Sequence, residues 1–99
     1  MTKVALLVKL EAKPGKEREV AEFLKSGLPI VQEEPDTTTW YGIQLGPSTF
    51  GIFDTFPHSA GRTAHLEGKV AKALMANAGT LLAKDPSIEF VDILAYKMP

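Results

Sequence analysis

TTWYGIQLGPSTFGIFDTF, residues 38–56, decides the fold of this chain. Its first part, Thr38 to Leu45, and its last, Phe50 to Phe56, are dense in the β-branched and aromatic residues that suit a pleated, half-buried surface. Between them Gly46-Pro47-Ser48 is a turn cluster, so the two runs predict an antiparallel hairpin. Upstream, Val4, Leu6, Val8 and Leu10 alternate with Ala5, Leu7 and Lys9, the period of a strand. Pro14-Gly15 ends it. Lys16 to Glu34 then reads as helix, with Val20, Phe23, Leu24 and Val31 along one side and an exposed Arg18–Glu22 pair. Pro29 removes a backbone donor and crowds the Lys25 carbonyl, which predicts an interruption near Lys25 to Leu28. Glu34 precedes Pro35, and that step stops the helix.

Downstream of the hairpin, Pro57 suits a first helical position. From Arg62, residues Leu66, Val70, Ala73, Leu74 and Leu81 recur at helical spacing, with Gly68 and Gly79 as weak points. Asp85-Pro86-Ser87 is a turn, and Ile88 to Tyr96 reads as the last strand. The order is βαββαβ. Two right-handed βαβ units of this kind predict a ferredoxin-like α+β fold: a four-stranded antiparallel sheet with both helices on one face, one domain over residues 1–99.

The first and last strands imply a partner. Val4, Leu6, Val8 and Leu10 form one apolar side of the first strand, and Ala5 and Leu7 the other. The last strand is apolar on both sides too, with Val91, Ile93 and Ala95 opposite Ile88, Phe90, Leu94 and Tyr96. A sheet with two apolar faces and helices for one needs a second cover, and a symmetric copy supplies it. A homodimer joined through its sheet faces is therefore expected.

Composition narrows the function. The net charge is -1, which gives neither nucleic acid nor an anionic membrane the concentrated basic surface it needs. Cysteine is absent, which excludes thiolate nucleophiles, thiolate metal sites and disulfides, and fits a cytoplasmic protein. The apolar run Val4 to Val8 is too short for a membrane span or a secretory signal.

Few residues can carry chemistry. In a helix regular from Pro57, His58, Arg62, His65 and Lys69 share a flank, read either as a solvated basic edge or as one overlooking the sheet. Two histidines seven residues apart with no third ligand make a poor metal site. Asp54 is the one charge in GIFDTF and has the parity of Phe50, Ile52 and Phe56. Its carboxylate is either solvated or buried with a partner, and His65 and Arg62 are the candidates for that partner. Trp40 shares a face with Gly42, which leaves room beside the indole, either for packing or for the wall of a planar ligand's site.

KPGKEREVAEFL (13–24), EEPDTTTWY (33–41), TFGIFDTF (49–56) and AHLEGKVAKAL (64–74) together resemble the antibiotic biosynthesis monooxygenase domain family over Lys3 to Lys97. The resemblance implies a dimeric α+β barrel of ferredoxin-like subunits and cofactor-independent oxygenation of quinols or polycyclic aromatics. It places His65, from Ala64-His65, in the pocket. Asp54 stands where the family has glutamate, and Asp36 where its turn has glycine. Its haem-degrading branch carries an asparagine near the position of Val8 and a tryptophan near that of Asp54, and this chain has neither. The expected enzyme is an oxygenase without a cofactor or metal. His65 and Asp54 are its catalytic candidates, and Trp40, Arg62, Phe50 and Ile52 line its substrate. The alternative is a dimeric module of the same fold that binds a small apolar molecule without reaction.

Overall fold

The computed structural model describes residues 2–98. Its central element is strand β1 (Val4–Glu11), which pairs antiparallel with β3 (Thr49–Phe56) on one side and β4 (Ser87–Asp92) on the other. Strand β2 (Thr39–Gln44) completes the hairpin with β3 at the edge, giving the order β2-β3-β1-β4. Helix α1 (Glu17–Val31) follows β1, and α2 (Ser59–Leu66) and α3 (Lys69–Leu81) join β3 to β4. This is the ferredoxin-like arrangement expected from the sequence.

Register decides which side chains meet. Trp40, Asp54, Leu6 and Phe90 lie directly opposite one another across the four strands. The same alternation puts Gly42, Ile52, Val8 and Ile88 in the next row on that face. The helices close over this face. Val20, Leu24, Gly27 and Val31 turn inward from α1, and Val70 and Leu74 from α3. Val20, Leu24 and Leu74 form one apolar core with Val8, Leu10, Phe50 and Ile52. The opposite face carries the row Tyr41, Phe53, Leu7 and Glu89, of which Tyr41 is exposed.

Four local features differ from the sequence reading. Helix α1 continues through Pro29 to Val31 without the interruption expected at Lys25 to Leu28. Only one intrahelical donor is lost there, two residues before the helix ends, and Lys25 and Pro29 are both exposed. The second helical segment does break at Gly68, whose extended backbone starts α3, whereas Gly79 lies inside α3 without disturbing it. Strand β4 stops at Asp92, opposite Val4, and only the Ile93 amide continues the contact, donating to the Lys3 carbonyl at 2.9 Å. The (i, i+4) pair Arg18–Glu22 gives way to Lys16–Glu19 and Lys25–Glu22, both spaced i, i+3.

Gly51 sits in the middle of β3, where a Cβ would lie 2.7 Å from the Val8 carbonyl oxygen of the neighbouring strand. Backbone cannot move aside as a side-chain tip can, so Gly51→Ala is expected to destabilise the fold by about 1–3 kcal/mol. Thermal melts of the two proteins measure this, and an unchanged Tm would refute it.

Candidate functional site

Asp54 occupies the inward row of β3 between Trp40 and Leu6, and it is completely buried. A carboxylate in this position is very costly without a counter-charge. Helix α2 supplies one. His58 caps that helix, its Nδ1 accepting from the Gly61 amide at 3.0 Å, so the helix starts at Ser59 and His58 points away from the flank read for it. Seven residues on, His65 is 6% exposed and sets Nε2 at 2.9 Å from Asp54 Oδ2. The two are within ion-pair distance, although off the line of a well-formed hydrogen bond. The tilted ring of Phe56, 5.5 Å away between centroids, shields the imidazole.

The other imidazole nitrogen meets a residue that the sequence reading took only as a helix stop. His65 Nδ1 lies 2.5 Å from Glu34 Oε1, just past the end of α1. Thr37 also donates its hydroxyl to this oxygen, at 2.7 Å. His65 thus bridges two carboxylates, one fully buried and one at the surface of a cavity. No spacing rule ties Glu34 to a histidine 31 residues later, so the only signal was the Glu-Pro step that ends the helix next to the hairpin.

That cavity, of about 540 Å³, lies between the end of α1, the turn at 33–37 and the α2–α3 junction. Pro29, Ile30, Pro35 and Ala64 give it apolar walls, and its polar lining is Glu34 and His65 together with Glu33, Asp36, Thr37 and Lys69. Asp54 supports His65 from beneath without reaching the cavity. A second cavity, of about 430 Å³, lies between α1 and β2 and is lined by Leu24, Leu28, Trp40, Gly42 and Phe50 among others. Gly27 of α1 presses on the Trp40 indole there, with its Cβ position 3.4 Å from the ring.

Trp40 and His65 therefore line different cavities, and Phe50 goes with Trp40. Ile52 is part of the core. Arg62 is not the partner of Asp54. It donates to the Ala5 and Val91 carbonyls at 3.3 Å each and lies 4.6 Å over the Phe90 ring. The arginine is one turn too early in α2 to reach down to β3, and it spans the β1–β4 seam instead.

The electrostatics follow from burial. Burial pushes the Asp54 carboxyl above its ordinary value of 3.8, and the facing imidazole only partly opposes this. For His65, burial disfavours the charged ring, but contacts with Asp54 and Glu34 overcome it and hold the imidazole above its ordinary value of 6.5. Both groups keep their protons to higher pH in the folded chain than in the unfolded one. The stability they contribute is present below the unfolded values and is lost as pH rises through the folded ones. For His65 this predicts a Tm that falls as pH climbs above 6.5, and a flatter profile over that range for His65→Gln. Melting curves across a pH series test it, and parallel profiles for the two proteins would rule it out.

No family model and no curated protein matches the chain. Solved structures do. The Nitrosomonas europaea protein NE2512, of unknown function, is 57% identical, with a TM-score of 0.98 over all of this chain and 96% of that one. Rv0793 from Mycobacterium tuberculosis is 12% identical, with a TM-score of 0.84 over 97% of this chain and 99% of that one. A protein named antibiotic biosynthesis monooxygenase is 15% identical, with a TM-score of 0.78 over 93% and 99% of the two chains. Likeness at 12–15% identity is likeness of fold. The chain belongs to the family of the Nitrosomonas europaea NE2512 protein and has the fold of an antibiotic biosynthesis monooxygenase.

Proposed function

We propose that this protein is a cofactor-independent monooxygenase that acts on a quinol or a similarly electron-rich aromatic in the cavity beside His65. The observation that carries the reading is a buried imidazole held between two carboxylates at the wall of a cavity whose surface is mostly apolar, although Glu33, Asp36, Thr37 and Lys69 also line it. An aromatic ring fits among Pro29, Ile30, Pro35 and Ala64, with its hydroxyl turned to the polar wall. Losing the hydroxyl proton leaves an electron-rich phenolate that the imidazolium stabilises. The ring then gives electrons to dioxygen directly. One oxygen atom enters the ring, the other leaves as water, and the quinol ends as a hydroxyquinone, so no further reductant is needed. An apolar cavity favours both the neutral gas and the ring, and it keeps water from the reactive intermediate.

The rival reading is a module that holds a small apolar molecule without turning it over. It draws on the fact that both imidazole nitrogens already face carboxylates. Oxygen uptake separates the two. With a panel of quinols, the wild type is expected to consume dioxygen and His65→Ala is expected to lose that activity. Equal uptake by both proteins would remove His65 from the chemistry, and ligand binding without any uptake would favour the module.

We also propose a cytoplasmic homodimer closed through the sheet face that carries Tyr41, Phe53 and Leu7. The support is that apolar row on the side away from the helices, together with the exposed Leu94 and Tyr96 beyond β4. Among the described residues no helix is long and apolar enough to cross a membrane. A stable dimer of this kind buries roughly 2,000 Å² or more in total. Light scattering at micromolar concentration is expected to give twice the chain mass, and Phe53→Lys, which sets a charge in the centre of the face, is expected to give a monomer. A wild-type monomer would overturn the dimer.

A further inference from the structure

We propose that Glu34, rather than His65, is the residue that touches the substrate and takes its proton, and that His65 and Asp54 are positioning residues behind it. The inference rests on the oxygenase reading for its substrate class, and on geometry for its choice of atom. Both imidazole nitrogens face carboxylate oxygens, Nδ1 that of Glu34 and Nε2 that of Asp54. Neither nitrogen has a lone pair free for a ligand. Asp54 is sealed from the cavity. Glu34 has one oxygen committed and one free. Oε1 is held by His65 and Thr37, whereas Oε2 accepts no hydrogen bond among the described residues. Oε2 lies beside Gly68, which lines the same cavity, and a Cβ on Gly68 would stand 3.2 Å from it. The missing side chain leaves this oxygen open to an occupant.

The proton balance is simple. The substrate O–H bond breaks, an O–H bond forms on Glu34 Oε2, and the electron pair stays on the substrate oxygen. One anion facing the imidazolium, the carboxylate, is replaced by another, the phenolate. The net charge of the site is unchanged, so the transfer separates no charge in an apolar cavity. His65 stays protonated throughout, fixed by Asp54 below and by Glu34 above.

The probe is 4-nitrophenol, used at a pH where the free compound is mostly protonated. Wild-type protein is expected to bind it with the visible absorption of the phenolate and without releasing a proton to the solvent, because Glu34 keeps it, whereas any phenolate bound by Glu34→Gln is expected to release its proton to the buffer. Glu34→Gln should also lower quinol-dependent oxygen uptake by roughly 10²-fold or more, the usual contribution of a positioned base. Gly68→Ala keeps all three ionisable groups but crowds Oε2, and it is expected to weaken the phenolate signal. This variant decides the matter if Glu34→Gln does not fold. Phenolate binding by the wild type that releases a proton to the buffer, phenolate binding by Glu34→Gln that releases none, or a folded Gly68→Ala with an undiminished signal would overturn the proposal. So would a wild type that binds the probe only as the phenol. Proton retention that depends on Glu34, in a protein that takes up no oxygen with any quinol, would uphold the base assignment and reject the oxygenase.

Discussion

A fully buried carboxylate in a central strand must be compensated, and the placement of the site follows from how Asp54 is. Its partner cannot come from the sheet, where its cross-strand neighbours are Leu6 and Trp40. It comes from above, from the one histidine of α2 that turns inward. Bringing that imidazole down to β3 fixes where α2 crosses the sheet. The second nitrogen then needs an acceptor, and the end of α1 provides Glu34. Three elements that share no hydrogen-bonded backbone are thereby tied at one point. Removing His65 would leave Asp54 a buried anion with no counter-charge, so the histidine ties the three groups into a unit.

The same contact explains the shape of the cavity. Glu34 is anchored by Thr37 as well as His65, so the turn at 33–37 is held against the last turn of α2. Gly61 makes that approach feasible, since a Cβ there would sit 2.9 Å from the Asp36 side chain. The break at Gly68 then turns α3 away from α2 and leaves a hollow between them. A continuous helix from Ser59 to Leu81 would have no such junction.

The sequence was most informative where one rule governs many residues. Strand alternation gave the inward parity of Asp54, Ile52 and Phe50, and helical spacing gave the inward side of α1 and α3, because burial of a whole face overrides local irregularities. It was least informative where a single contact decides. Nothing in the spacing of Arg62 shows that it will bond the Ala5 and Val91 carbonyls, or that His58 will serve its own helix as a cap. The indole of Trp40 had two readings by sequence, packing or the wall of a ligand site, and the structure sets it against Gly27 of α1 at a separate cavity. Glu34 was hidden because its role depends on two helix ends meeting, which is a property of the tertiary fold.

The position of β1 in the sheet has a consequence for how the chain acquires its structure. Val4–Glu11 is one of the two inner strands, yet its partners are Thr49–Phe56 and Ser87–Asp92. On the ribosome, its apolar segment is made well before either neighbour and stays half-paired until β4 has emerged. Contacts of such long sequence separation slow folding, and an unpaired apolar strand invites intermolecular pairing in the meantime. Lys9 and Glu11 interrupt the apolar alternation near its end, placing charge where another chain would otherwise add on. The strand that organises the finished sheet is thus the one that waits longest for its partners during synthesis.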